Sequence, residues 1–239
     1  VVSKAYPAVL GTSGGKENLA DMRTNGWELM LTWNDKISDV RGSTLTYSVG
    51  MGISDAFSEI TKYNNPTRSL ADHYEGKRLG EIWGYVTDGF IADETEAQKM
   101  VDTQGRFSKT WLPGDIRYRN LDADPEINPG KNTVDDPGDR KIIGNSTPRY
   151  RYSINLNTAW KGFDLRAMFE GVGKRDVWLS DNLFWGYSGI WWASITDYHV
   201  DNSWSKDNVN AFYPVPTFSD RSRQVQTKYL QNGAYIRLR

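Results

Sequence analysis

YRYSINLNTAWKGFDLRAMFEGV, residues 150–172, is two alternating segments joined by a Lys-Gly turn. One series holds Tyr150, Tyr152, Ile154, Leu156, Thr158 and Trp160, and the other holds Arg151, Ser153, Asn155, Asn157, Ala159 and Lys161. After the turn, Phe163, Leu165, Ala167 and Phe169 alternate with Asp164, Arg166, Met168 and Glu170. A period of two sends successive side chains to opposite faces of a strand. The stretch is therefore a hairpin with one apolar and one polar face. That face could look into a protein core or into lipid.

Three further segments alternate in the same way. GWELMLTWND puts Trp27, Leu29, Leu31 and Trp33 on one face. STLTYSVGMGIS sets Leu45, Tyr47, Val49, Met51 and Ile53 against Thr44, Thr46, Ser48, Gly50 and Gly52. AYIRLR begins a fifth strand, with Ala234, Ile236 and Leu238 opposite Tyr235, Arg237 and Arg239. Each full segment approaches the ~9–11 residues that a tilted strand needs to cross a bilayer.

The connections discriminate better than the strands. The first two strands are joined by residues 35–43 and the hairpin strands by Lys161-Gly162, whereas residues 54–149 and 173–233 form long excursions. Walking up and down the strands puts both short turns on one side and both excursions on the other. Transmembrane barrels sort their loops this way, short on the periplasmic side and long outside. Loops of this length are rare in compact soluble domains. The chain thus reads as all-β: a fragment of a transmembrane antiparallel β-barrel, about five strands, with long extracellular loops. Its parts are barrel strands and a short periplasmic turn (1–53), a loop subdomain (54–149), a barrel hairpin (150–172), a second extracellular loop (173–233) and the start of another strand (234–239). Both ends look cut. The alternative is a secreted Trp-rich β-sandwich that binds carbohydrate.

The bulk numbers exclude several classes. Hydrophobic residues make up 38% of the chain, mean hydropathy is −0.64, and no apolar run approaches the ~18 residues of a membrane helix. That leaves a membrane barrel open, because alternation dilutes its hydropathy. Net charge is −1 without a basic block, so nucleic acid is not an expected partner. Without Cys there are no disulfides, thiol nucleophiles or thiolate metal sites. The 10 Trp and 13 Tyr suit carbohydrate surfaces, protein interfaces or the aromatic girdles of barrels. Trp27, Trp33, Tyr150, Tyr152 and Trp160 sit where such a girdle would be. Within the first excursion, DETEAQKMVDTQG reads as a helix with Asp93 as N-cap, Glu96 at capping-box spacing, Gly105 as terminator and an Ala97/Met100/Val101 stripe. LPGDIRYRNL reads as a small extra strand.

No enzyme emerges. GTSGGKE is not a phosphate loop, since position 10 is Leu and Lys16 is followed by Glu17. Ser13 has no matching base, and His73 and His199 are isolated, which points to packing roles. No two carboxylates are paired at glycosidase separation. The sequon at Asn145 carries no information by itself.

Four stretches together resemble the SusC/RagA family of TonB-dependent outer-membrane transporters of Bacteroidetes. They are NLADMRTNGWELMLTW, YEGKRLGEIWGYVTDGF, the run from LPGDIRYRNLDADPEIN through IGNSTPRYRYSINLNTAWKGFDLRAMFEGVGKRDVW, and the terminal YLQNGAYIRLR. The resemblance covers nearly the whole chain in the order of the family's C-terminal part. It implies a plugged barrel of about 22 strands. It also implies residence in the bacterial outer membrane with its lipid, a SusD-like surface lipoprotein as lid, drive from TonB through parts outside this segment, and import of oligosaccharides or peptides. No cofactor is required. The aromatic residues Trp83, Tyr85, Trp111, Trp178, Trp185, Tyr187, Trp191 and Trp192 in the excursions become candidate substrate contacts, set against simple loop packing.

The related family pattern also makes RNLDADPEINPG a candidate structural calcium loop. Asn120, Asp122 and Asp124 have the i, i+2, i+4 spacing of the first ligands in such loops, and Asp135, Asp136 and Asp139 could close the shell. Pro125 replaces the turn glycine, and Lys131 stands where a bidentate Glu would be. The competing reading is a solvated acidic turn.

Overall fold

The computed structural model describes residues 2–3, 9, 11, 16–18, 20–186 and 195–239. A short pair, β1 (Val2–Ser3) and β2 (Lys16–Glu17), precedes the long strands β3 (Asp21–Ile37) and β4 (Leu45–Lys62). The first excursion holds β5 (Glu81–Tyr85), β6 (Thr87–Phe90), α1 (Glu94–Thr103), β7 (Ile116–Tyr118) and β8 (Arg140–Asn145). The hairpin of β9 (Arg149–Trp160) and β10 (Phe163–Lys174) follows. Then come β11 (Asp176–Trp178), α2 (Asn182–Trp185), α3 (Asp197–Asn202), β12 (Leu230–Asn232) and β13 (Tyr235–Leu238).

Five strands make one antiparallel sheet in the order β13-β10-β9-β4-β3. Its register aligns the apolar series of every strand. Leu31 pairs with Met51, Met51 with Ile154, Ile154 with Phe169, and Phe169 with Leu238. The polar series aligns likewise through Thr32, Gly50, Asn155 and Met168. One face is therefore a continuous apolar band, yet nothing covers it among the described residues. Leu31 is 55% exposed and Leu165 65%. A sandwich would bury that face against a second sheet, so the carbohydrate-binding sandwich is set aside.

Both short turns lie at one end. Lys161 (φ 51°) and Gly162 (φ 84°) carry the paired positive φ of a two-residue hairpin turn whose twist matches its strands. Trp160 Nε1 donates to Val40 O (3.2 Å) and Lys161 Nζ to Arg41 O (2.7 Å), tying the two turns together. At the other end β3 and β4 overshoot the expected span, reaching 17 and 18 residues. β4 runs to Lys62 and does not stop at 53. The extra turnless length is polar and supports the excursions: Thr24 and Ser58 share a side-chain hydrogen bond (2.7 Å), and Ile60 N donates to Lys77 O (2.9 Å).

The excursions, separate in sequence, fold as one cap around a single core of Tyr85, Ile91, Met100, Ile116, Tyr213 and Tyr229 with their neighbours. α1 contributes as its pattern predicts. The Asp93 carboxylate accepts from Glu96 N (2.8 Å), Glu96 accepts from Ala92 N (2.7 Å), and Ala97 and Met100 are buried. β7 is the small strand expected from LPGDIRYRNL. Backbone bonds stitch the two excursions together, Tyr85 N to Val225 O (2.8 Å) and Thr227 N to Tyr85 O (3.1 Å).

Candidate functional site

The sheet offers two chemically distinct surfaces. On the apolar face, Tyr152 and Trp160 bracket a band eight positions long, about 27 Å at ~3.4 Å per residue, close to the ~25 Å apolar belt of outer-membrane barrels. Above it the same face turns charged: Asp55 is buried, accepts a bidentate ion pair from Arg149 and also accepts from Tyr150 N (3.3 Å). The Arg149 and Arg78 guanidinium groups lie over the Phe57 ring, 5.8 Å and 4.9 Å from its centre. The girdle expected from Trp27, Trp33, Tyr150, Tyr152 and Trp160 lies on this face, with Trp27 52% and Trp33 64% exposed.

Gly171 and Gly173 of the GVG motif have a steric reason. A Cβ on Gly171 would strike the Tyr152 ring and the Tyr235 carbonyl, and one on Gly173 would come within 3.1 Å of Tyr150 Cβ. The two glycines are the floor on which the girdle tyrosines lie, and Tyr152 Oη donates to Tyr235 O (3.2 Å).

The opposite face is small and polar. Ser48, Gly50, Gly52 and Ser54 of β4 lie beside Asn155 and Ser153 of β9. Toward the cap it carries charge in a concavity of about 420 Å³ lined by Glu28, Arg151 and Glu170 among others. Glu170 is ion-paired with Arg237 and with Arg239 (2.8 Å). Such a surface suits water and polar solutes, not lipid.

The IGNSTPRY entry to β9 locks the cap onto the wall. Asn145 Nδ2 (3.0 Å) and Thr147 Oγ1 (2.9 Å) both donate to Leu79 O, and Ser146 N donates to Gly80 O (2.7 Å). The LG of KRLGEIWG and the NST of the entry are thus the two halves of one joint. Asn145, formally a sequon, is spent in it.

Of the five aromatic candidates among the described residues, Tyr85, Trp111 and Trp185 fall in the cap core. Tyr85, Trp111 and Trp185 are 5%, 5% and 3% exposed, so they are packing residues with no ring face left for a sugar. Burial pushes the Tyr85 hydroxyl up to about 12. Trp111 Nε1 donates to Ser108 O (3.0 Å) and Trp185 Nε1 to Leu179 O (2.8 Å), which satisfies their polar edges. Trp178 is half-buried against Trp185, with ring centres 5.7 Å apart. Trp83 is half-buried and donates to Tyr74 Oη and Glu81 Oε1, both at 3.1 Å. Burial raises the Glu81 carboxyl above its ordinary range. Tyr187, Trp191 and Trp192 lie outside the described residues.

In the acidic loop, backbone and side-chain amides take up the oxygens. Asp122 accepts from Asp124 N (3.0 Å) and Asp124 from Glu126 N (2.8 Å). The Asn120 amide donates to Asp124 O (2.5 Å). Asp139 is fully buried and accepts from Leu121 N (2.6 Å) and Asn128 N (2.9 Å), and burial lifts its carboxyl above the usual range. Asp135 pairs with Arg68 (2.6 Å), and Lys131 lies 3.9 Å from Asp136. Among the described residues no three His, Asp or Glu side chains form a metal-binding group. His199 is buried, sharing a hydrogen bond with Thr196 Oγ1 at Nδ1 (2.8 Å) and lying 3.1 Å from Phe184 O at Nε2, in the packing role expected of it.

Sequence patterns missed the polar groups that weld the cap. Asp115 and Arg221 form a buried pair (2.7 Å), with Ser222 Oγ also donating to Asp115 (3.0 Å). Burial raises the Asp115 carboxyl even beside that guanidinium. Gln104 substitutes for a strand edge, donating to Ile116 O (3.2 Å) and accepting from Tyr118 N (2.6 Å). Their only sequence signal was polar residues next to apolar runs, which is not distinctive.

No family model matches the chain. A curated relative, TonB-dependent receptor P3 of Formosa agariphila, is 24% identical over 246 aligned positions, which cover 99% of this chain and 23% of the receptor. Two solved structures share the fold: the RagAB peptide importer in the open-open state (TM-score 0.62, 17% identity) and the RagAB peptide transporter (TM-score 0.60, 17% identity). They cover 100% and 97% of this chain, and 24% of each solved chain. The chain is similar in sequence to part of a TonB-dependent receptor and shares the fold of part of RagAB. It spans about a quarter of the length of the proteins it matches. In this fold the apolar band and the polar face are the two sides of one sheet, and the cap stands at the end away from the short turns.

Proposed function

We propose that this segment is wall and extracellular cap of an importer in the bacterial outer membrane. The importer takes up oligosaccharides or peptides beneath a SusD-like lipoprotein lid. TonB acts through parts of the protein beyond this segment. The observation that carries the reading is the sorting of the fold: a two-faced sheet, short turns at one end, and all the long connections gathered into one packed cap at the other. A wall with a polar lumen and an apolar outside passes solute without chemistry, so no catalytic step is invoked. The names of the relatives, a TonB-dependent receptor and a peptide importer, support the same role. Oligosaccharide and peptide stay side by side, the aromatic content favouring the first and RagAB the second.

The test is purification of the intact protein together with any SusD-like lipoprotein that it retains, followed by identification of the co-purified ligand and by uptake assays in cells lacking the gene. Ligand retention and loss of uptake are the expected results. A full-length protein that extracts without detergent and leaves uptake of every candidate nutrient unchanged would end the proposal.

A further inference from the structure

Between the two excursions lies a cavity of about 550 Å³. Phe90 and Ala92 reach it from the first excursion, and Trp204, Val209, Asn210 and Lys228 from the second. It exists only once the excursions have folded together. Its walls are mainly apolar, and among the described residues Lys228 is the one charged side chain lining it. Val209 and Asn210 are exposed, which leaves the cavity open to solvent on their side.

Lys228 is placed unusually for a lysine. Its ammonium lies 4.6 Å from the centre of the Phe90 ring, with Tyr229 at 5.6 Å and Phe212 at 5.9 Å. Its one hydrogen bond is long, Nζ to Ala211 O at 3.4 Å. Among the described residues no carboxylate pairs with it. Burial pulls its pKa below the ordinary lysine value, because the charge is half withdrawn from water without a counter-ion. Ring faces steady a cation, by ~0.5–2 kcal/mol each, but they do not occupy N–H donors. An ammonium has three donors, so two remain for an acceptor entering the cavity.

We infer that this cavity binds a ligand carrying a carboxylate beside a flat or apolar group, with Lys228 as the ion-pair partner. The carboxylate takes the two free donors, and the apolar part lies on the walls built by Phe90, Trp204 and Val209. The ligand's role as cargo rests on the import reading, whereas its binding does not. A peptide C-terminus and an acidic sugar share this chemistry.

The test uses the full-length protein in detergent micelles and calorimetric titration with two matched pairs of probes. N-acetylphenylalanine is compared with its amide, and phenyl glucuronide with phenyl glucoside. The acid of at least one pair is expected to bind about tenfold or more tightly than its neutral partner, the scale of one charge-assisted hydrogen bond. Discrimination in the first pair assigns the site to peptides and in the second to acidic sugars. Lys228→Met should erase the preference and Lys228→Arg keep it. Val209→Glu, at the exposed rim, should weaken the acid and not the neutral probe. It serves as the deciding variant if Lys228→Met does not fold. Equal binding of acid and neutral probe in both pairs, or a preference that survives Lys228→Met or Val209→Glu, overturns the site. Unchanged uptake in cells lacking the gene, with the preference intact, would count against the import reading alone.

Discussion

The weld between the excursions gives a prediction with a sign as well as a size. Asp115 is 0% exposed and accepts from Arg221 Nε (2.7 Å), Leu112 N (2.8 Å) and Ser222 Oγ (3.0 Å). Arg221→Met keeps most of the side-chain volume but removes the cation, leaving a buried carboxylate with two neutral donors. Breaking a buried pair from one side costs about 3–5 kcal/mol, and the two remaining donors place this case near the lower figure. Burial already raises the Asp115 carboxyl, so its contribution to stability is greatest below the ordinary carboxylate range and falls as pH climbs through the raised folded-state value. Removing Arg221, which holds that value down, raises it further. The penalty should therefore be smallest at the acid end of the range, where Asp115 takes up a proton, and grow as it ionises with rising pH, by up to ~1.4 kcal/mol per unit. Hydrogen exchange of the intact protein in micelles, corrected for intrinsic rates, reads this at the Tyr85, Ile116 and Thr227 amides, with β9 amides as the internal control. Pairing Arg221→Met with Asp115→Asn should restore most of the loss and flatten its pH dependence. A penalty that is the same at acid and neutral pH, or one confined to β9, would refute the reasoning.

Three further outcomes follow from the same geometry. Leu156→Arg, on the apolar face between Val49 and Ala167, should cost about 2–4 kcal/mol in refolding into micelles if that face meets lipid as proposed, whereas Asn157→Arg, one residue on and on the opposite, polar face, should cost far less; equal costs would reverse or abolish the two faces. Gly171→Ala forces a Cβ into the Tyr152 ring and should cost about 1–3 kcal/mol, with Tyr152→Leu partly rescuing it; an unaffected Gly171→Ala barrel would remove the steric account of the GVG motif. Asp139→Ala strips Leu121 N and Asn128 N of their acceptor and should lose about 1–3 kcal/mol of local stability, seen as faster exchange across residues 120–128 and nowhere in the sheet.

The wall was legible because a strand writes its two faces into alternate residues. Tyr152, Ile154, Leu156 and Trp160 announced one surface, and Ser153, Asn155 and Asn157 the other. Loop lengths then separated the end with the short turns from the end with the cap. The α1 helix was equally plain, since Asp93 and Glu96 satisfy its first amides locally. The aromatic candidates were another matter. A Trp in a loop has the same letters whether it stacks on a sugar or plugs a core, and Trp111 and Trp185 proved to be core.

Sequence alone determined what depends on near neighbours: strand faces, turn positions, the helix and its cap, and the family resemblance carried by contiguous motifs. Tertiary structure decided what depends on residues far apart in the chain. It joined residues 54–149 and 173–233 into one cap, paired Asp115 with Arg221 across 106 positions, and set Asn145 and Thr147 against Leu79. It also brought Lys228 beside Phe90. Burial and pairing are properties of the packed environment, and no local pattern encodes which distant segment will supply it.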